Sequence, residues 1–231
     1  MHTQKNNDTV AIIVPVYNED PSVVDAVIET LQKLPFTVVI VDDGSAIPVS
    51  VRPDEKTHIL RHFINLGQGA ALQTGFEFSK IINADYIITF DADGQHQVSD
   101  IEKLLLPLQS NEADVCLGSR FIGPQNKTIS KGRTITIKTA RLFNFIFTGK
   151  ILSDAHNGLR AFNRTALETI SLTENRMAHA TEIILKIKKN RLRYKEIPVS
   201  VLYTNYSLKK GQSALNGLRI ILDLFLNKLF E

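Results

Sequence analysis

The stretch Thr9-Val10-Ala11-Ile12-Ile13-Val14-Pro15-Val16 decides the fold. It is an almost continuous apolar run rich in β-branched residues, without polar alternation, which is the pattern of a strand buried on both faces in a parallel sheet. Working outward, residues 21–34 read as a helix. Asp20 stands at the N-cap, Pro21 takes the first position, where a missing N–H costs nothing, and Val23, Val24, Val27, Leu31 and Leu34 share one side. A second buried run, Phe36 to Val41, ends in Asp42-Asp43-Gly44-Ser45, and a third, His58 to His62, precedes Asn65-Leu66-Gly67-Gln68-Gly69. A helix over 70–83 follows, then a strand from Tyr86 to Phe90 that ends in Asp91-Ala92-Asp93-Gly94. A helix over 99–109 and a strand from Asp114 to Gly118 complete this part. The alternation predicts an α/β layered domain with a mostly parallel sheet, whose ligands gather at the carboxyl ends of the strands. The polar clusters fall at those ends.

Beyond Gly118 the order changes. Residues 121–133 are rich in Gly, Pro, Asn, Thr and Lys and read as a loop. Helices are expected over 136–147 and 180–190, a strand from Tyr194 to Leu202, and a last helix over 213–230 with Leu215, Leu218, Leu222, Phe225 and Leu229 at three- and four-residue spacing. The expected organisation is one domain over 1–212 with an amphipathic helix over 213–231.

Of the 231 residues, 43% are hydrophobic and 22% charged, which excludes a disordered or collagen-like chain. A net charge of +3 nominates no nucleic-acid partner. Cys116 is the sole cysteine, so neither an intramolecular disulfide nor a thiolate metal cluster is available. The polar first eight residues lack the apolar core of a signal peptide, and no apolar run approaches the roughly 20 residues of a spanning helix. The expectation is a cytoplasmic protein that does not cross a membrane.

Three clusters carry chemistry. Asp91 and Asp93, one residue apart at a strand end, offer hard oxygen ligands of the kind that hold Mg²⁺ or Mn²⁺ against a diphosphate. The plain alternative is turn chemistry, in which Asp and Gly only reverse the chain. Gln95 and His96 follow closely, and either a ligand or an ordinary surface histidine is open for His96. Asp42 and Asp43 form a second acidic strand end that could accept hydrogen bonds from a nucleobase and ribose, or simply start a type I turn. The amides of 65–69, before a helix N-terminus, suit an anion; a simple Gly-rich loop is the competing reading.

Taken together, Val14-Pro15-Val16-Tyr17-Asn18-Glu19, Val41-Asp42-Asp43-Gly44-Ser45, Asn65-Leu66-Gly67-Gln68-Gly69, Asp91-Ala92-Asp93-Gly94-Gln95, Gly118-Ser119-Arg120 and Asp154-Ala155-His156-Asn157-Gly158-Leu159-Arg160 resemble family 2 glycosyltransferases in order and spacing. Within the family they look most like the dolichyl- or polyprenyl-phosphate mannosyltransferase and glucosyltransferase group. The resemblance spans residues 9 to about 200. It implies a GT-A fold, a Rossmann-like three-layer domain, and an inverting transfer from a nucleotide-diphosphate-sugar donor with Mg²⁺ or Mn²⁺ as cofactor. Pro15, Tyr17, Asn18, Glu19, Asp42 and Asp43 would line the nucleoside pocket, with Gly67, Gln68 and Ala92 also on the donor side. Asp91, Asp93 and Gln95 would hold the metal, and Arg120, Arg133 and Arg160 would supply cations near phosphates or acceptor.

The acceptor decides what else is needed. A sugar hydroxyl wants a carboxylate base, for which Asp154 and then Glu182 are the candidates. A lipid phosphate is already anionic and wants cations. The basic run Lys186, Lys188, Lys189, Arg191, Arg193 and Lys195, with Lys209-Lys210 before the last helix, suits either a solvated face or an anionic membrane surface. The expectation is a polyprenyl-phosphate acceptor at the cytoplasmic membrane face, with a glycan acceptor as the alternative. The last helix would contact lipid, a second copy of the chain or a membrane-protein partner. A binding protein without catalysis and a nucleotidyltransferase are the competing classes. Against the first, both aspartates of the pair are present; against the second, no basic Gly-rich loop follows the first strand.

Overall fold

The computed structural model describes residues 8–52, 54–122, 152–176 and 178–202. The predicted helices over 136–147 and 213–230, Arg133, Lys209-Lys210 and nearly all of the 121–133 loop lie outside the described residues.

Seven strands form one sheet: β1 (Val10–Val16), β2 (Thr37–Asp42), β3 (Thr57–Arg61), β4 (Tyr86–Thr89), β5 (Val115–Ser119), β6 (Arg160–Asn163) and β7 (Tyr194–Pro198). Their order is β3-β2-β1-β4-β6-β5-β7. β1 lies between β2 and β4, parallel to both, as its unbroken apolar run predicts. β3 runs parallel to β2, and β7 parallel to β5. β6 alone is antiparallel, wedged between β4 and β5. The sequence reading contains no strand at β6. Its four residues begin with an arginine and are too short to display a period, so only the neighbours that pair with them define the strand.

Among the described residues five α-helices flank the sheet: α1 (Pro21–Leu31), α2 (Gln68–Ile81), α3 (Ile101–Gln109), α4 (Arg164–Thr169) and α5 (His179–Lys189). α1 starts as expected, with the Asp20 carboxylate accepting from the Ser22 amide, but stops at Leu31, three residues short of the predicted end. α2 starts at Gln68 and ends at Ile81, two residues short of the predicted end at Asn83, whose φ of 54° turns the chain toward β4. Because successive β1 side chains point to opposite faces, Val10, Ile12, Val14 and Val16 pack with Val24, Ile28 and Leu31 of α1 and Leu104 and Leu108 of α3. Ala11 and Ile13 face the other way, toward Phe76 of α2, Leu167 of α4 and Ile183 of α5. The result is three layers with a core on each side of the sheet. Gly75 is needed for the close approach of α2, because a Cβ there would run into Ile13.

After Pro198 the chain leaves the sheet earlier than the predicted strand end at 202. Ser200 donates its amide to the buried Asp100 at 2.7 Å, Val201 bridges His96, and the Leu202 amide donates to the Gln95 carbonyl. The last described residues therefore run across the loop that follows β4.

Candidate active site

The parallel strands β1, β2 and β4 deliver their carboxyl ends to one edge. The Tyr17–Glu19 turn follows β1, with Tyr17 exposed and Asn18 at φ 48°, a left-handed conformation that asparagine tolerates. Asn18 ties two strand ends together: its amide donates to Ser45 Oγ at 3.0 Å and its side-chain oxygen accepts from the Ala46 amide at 2.9 Å. Asp42, buried at the end of β2, accepts from the amides of Ser45 and Val49, with Arg61 Nε 3.5 Å away.

Asp43 is a second buried hub. One carboxylate oxygen pairs with His62 Nδ1 at 2.7 Å and accepts from the Leu66 amide, and the other accepts from the Gly67 amide at 2.7 Å. The far nitrogen of His62 reaches Thr74 Oγ1 on α2. The parallel register of β2 with β3 pairs Asp42 with Arg61, so His62 emerges opposite Asp43; His62 was legible only through that register. Gly44 at φ 73° lets the loop close, since a Cβ there would lie 2.6 Å from the Ile64 carbonyl carbon.

These contacts favour the simple-loop reading of 65–69 over the anion-binding one. The 65–69 amides do not form an open anion cradle: Gly67 N is given to Asp43, while Gly69 N and Ala70 N are given to the Asn175 carbonyl. The chain supplies its own acceptor to the start of α2, and a Cβ at Gly69 would collide with the Glu174 carbonyl. Gln68 instead works through its side chain, which donates to Asp91 Oδ1 at 3.1 Å.

Asp91 and Asp93 leave β4 around the buried Ala92. Asp91 accepts from Gln68 on Oδ1 and from His96 Nε2 on Oδ2 at 3.0 Å, and Gly158 lies so close behind it that a Cβ there would overlap the carboxylate. Burial pushes the Asp91 pKa up, but the His96 hydrogen bond and the charges of His96, Arg160 and His179 outweigh it and leave the pKa below the ordinary value. Asp93 goes the other way. Burial, then the neighbouring Asp91 charge and Glu19, raise it, against the Gln95 amide that it accepts at 3.0 Å. His96 is not a surface histidine: its side chain is 5% exposed and its ring meets Phe90 edge-on.

The arrangement fits a divalent cation. Two neighbouring carboxylates, of which Asp93 bears the unfavourable charge of Asp91, with the Gln95 amide beside them, are the hard donors that Mg²⁺ or Mn²⁺ takes in small number alongside water and phosphate. Among the described residues no three His, Cys, Asp or Glu side chains converge into a ready cage.

The 152–160 segment faces this edge from β6. Asp154, 5% exposed, receives Arg120 in a two-pronged ion pair, Nε to Oδ2 at 2.6 Å and Nη2 to Oδ1 at 2.8 Å, and also the Arg120 amide. Burial opposes ionisation, but Arg120 overrides it and holds the Asp154 carboxyl below the usual range. Glu182 accepts from the Thr173 and Glu174 amides and from Thr173 Oγ1, with Lys186 at 3.7 Å. Glu196, which the sequence reading did not single out, accepts from the Ser153 amide and hydroxyl and so fixes the start of the segment.

Arg160, expected to supply a cation near phosphates or acceptor, lies inside the protein. It is 3% exposed, and its guanidinium donates to the carbonyls of Asn157 and Ala155 rather than being presented at the surface. Burial lowers its pKa to about 10 against the pull of Asp91 and Asp154, so it is an internal counter-charge to both. The basic run is also partly consumed. Arg193 grips Asp114 and Asn111, and Lys195 pairs with Glu112, across the β7 edge.

A three-layer, mostly parallel sheet with paired carboxylates at one strand-end edge is the architecture of the GT-A class. Residues 11–171 match the family described as Glycosyl transferase family 2, and the chain belongs to that family of glycosyltransferases. It is 30% identical to the UDP-N-acetylglucosamine–dolichyl-phosphate N-acetylglucosaminyltransferase of Methanococcus voltae, over 94% of this chain and 95% of that protein. It is 26% identical to the polyprenol monophosphomannose synthase of Mycolicibacterium smegmatis, over 90% of this chain and 82% of that protein. Among solved structures, Staphylococcus aureus TarS 1-349 superposes with a TM-score of 0.53 at 14% identity, over 83% of this chain and 58% of that one, which is a likeness of fold.

Proposed function

We propose that this glycosyltransferase moves a sugar, with inversion, from a nucleotide-diphosphate-sugar to a polyprenyl phosphate. The observation that carries the reading is the state of its carboxylates. The two that the sequence offers as a base for a sugar hydroxyl, Asp154 and Glu182, are committed to Arg120 and to backbone amides. A carboxylate held ionised by a bidentate guanidinium is a poor proton acceptor. A phosphate acceptor needs no such base, and the two relatives are named for dolichyl phosphate and for polyprenol monophosphomannose.

In this reading an acceptor phosphate oxygen forms a bond to the anomeric carbon from the face opposite the donor diphosphate. The bond from that carbon to the β-phosphate oxygen breaks, and a nucleoside diphosphate leaves. Pro15, Tyr17, Asn18, Glu19 and Asp42 shape the nucleoside side, where the exposed Tyr17 ring offers a stacking surface. Asp91, Asp93 and Gln95 would hold Mg²⁺ or Mn²⁺, which supplies charge stabilisation for the leaving diphosphate. Arg133, beyond the described residues, would add a cation on the acceptor side. Reaching a lipid phosphate calls for peripheral contact with the cytoplasmic membrane face, assigned here to the amphipathic 213–231 segment, which could instead meet a second copy or a membrane protein. No helix among the described residues is long and apolar enough to cross a membrane.

The test is transfer from labelled UDP-, GDP- and dTDP-sugars into organic-extractable lipid, with polyprenyl phosphate, Mg²⁺ or Mn²⁺ and a chelator control. Chelator-sensitive label in the lipid phase is the expected result and identifies the donor. Label appearing only in a glycan acceptor would overturn the phosphate reading.

A further inference from the structure

His96 is an expensive residue to keep where it is. Asp91 Oδ2 can only accept, so Nε2 is the ring nitrogen that donates to it, and Nδ1 is left over. That nitrogen is buried with no hydrogen-bond partner among the described residues. A buried polar atom without a partner is destabilising, and a ring that filled the same space without nitrogen would avoid the cost. Core packing against Phe90 does not explain the choice of histidine, since phenylalanine would serve it. What only the imidazole supplies is the hydrogen bond to Asp91.

That bond completes a three-sided frame. Gln68 holds Oδ1, His96 holds Oδ2, and the Gly158 backbone closes the rear of the carboxylate. Asp93 has no comparable support among the described residues, where its hydrogen-bond partners are the amide and side chain of Gln95, two residues along the same turn. With a donor on each oxygen, Asp91 is kept in one plane and both oxygens are discouraged from turning onto one ion. A carboxylate so held offers a single oxygen to a cation. Small ions that demand regular octahedral geometry accept this, whereas Ca²⁺ gains from two-oxygen chelation.

We propose that His96, with Gln68, is a positioning residue that fixes Asp91 as a one-oxygen ligand and thereby sets both the affinity of the site for Mn²⁺ or Mg²⁺ and its preference for them over Ca²⁺. The inference rests on the reading of Asp91 and Asp93 as metal ligands.

The experiment measures Mn²⁺ binding to the full chain from the loss of the free-ion electron paramagnetic resonance signal, with and without UDP or GDP, with Ca²⁺ as competitor and thermal unfolding in parallel. His96→Phe keeps the packing and removes the donor, His96→Gln retains an N–H at similar reach, and Gln68→Leu removes the other donor. His96→Phe and Gln68→Leu are each expected to weaken Mn²⁺ binding by roughly tenfold and to narrow the Mn²⁺-over-Ca²⁺ preference. His96→Gln should stay within about threefold of the parent, and unfolding of His96→Phe should be unchanged or raised. Parent-like Mn²⁺ affinity and ion preference in both His96→Phe and Gln68→Leu would overturn the inference while leaving the metal reading intact. If Asp93→Ala binds Mn²⁺ as the parent does, the metal reading itself falls, and this inference with it. Should His96→Phe fail to fold, Gln68→Leu decides by the same two numbers.

Discussion

Gly158 shows how closely the site is drawn at the scale of single residues. Its carbonyl accepts from Thr89 Oγ1 at 2.6 Å, so it cannot easily drift from β4, and its missing side chain is the space that the Asp91 carboxylate uses. If Asp91 holds the metal as proposed, Gly158→Ala is expected to displace it, with a loss of at least about tenfold in sugar transfer and a stability cost of about 1–3 kcal/mol for the overpacking. Activity titrated against Mn²⁺, with urea unfolding alongside, checks both parts; a parent-like metal titration would show that the carboxylate has room to move. The neighbouring aspartates illustrate what a sequence can and cannot say. That Asp42, Asp43, Asp91 and Asp93 sit at strand ends follows from the apolar runs before them. That Asp43 spends its oxygens on His62, Leu66 and Gly67 does not, because it depends on a loop that folds back from β3.

Among the elements, β1 to β4 and their helices were legible because each is an apolar or amphipathic run that ends near Gly, Pro, Asp or Asn; β4, with four residues like β6, was marked by the Asp-Ala-Asp-Gly that follows it. β6 was not. It is short, and its character comes from its neighbours: Thr89 opposite Arg160 on one side and Leu117 opposite Arg160 on the other. Its buried Phe162 meets Phe76 of α2 with ring centroids 5.4 Å apart, in an edge-to-face arrangement. Phe162→Ala should therefore cost about 3–5 kcal/mol, near the loss expected for a large aromatic in a closed core. The urea midpoint of unfolding measures it, and a cost below about 1 kcal/mol would mean that β6 is held by its hydrogen bonds alone. Helix ends were read less well than helix existence, as at Leu31, where the turn into β2 overrides three further residues of apolar spacing.

Across the whole molecule, buried charge sets the response to acid. His179 is 5% exposed, and burial, reinforced by Arg160, lowers its pKa to about 4, against the Arg176 carbonyl that Nδ1 contacts at 2.7 Å. The unfolded chain takes up that proton near pH 6.5, so stability is full above this value and declines as the pH falls toward about 4. Asp91 and Asp154 have lowered pKa values and act lower down: their contribution is present above the unfolded value of about 3.9 and is lost as the pH falls through their folded values. Urea unfolding from pH 8 to pH 3 should show two successive declines, with His179→Phe flattening the first and leaving the second. A parent-like slope between pH 6.5 and 4 in His179→Phe would remove the histidine from the account.

The crossing of residues 199–202 over the β4 loop has a consequence for synthesis on the ribosome. Every acidic residue of the donor side has been made by residue 93, yet Gly158, Asn175, Ser200 and Val201 are what brace Asp91, the start of α2, Asp100 and His96. A nascent chain halted near residue 150 would carry the whole Asp-Ala-Asp signature and none of these four braces. The site is thus completed by residues that follow it in the chain, and a premature stop before residue 200 would leave a recognisable motif without its frame.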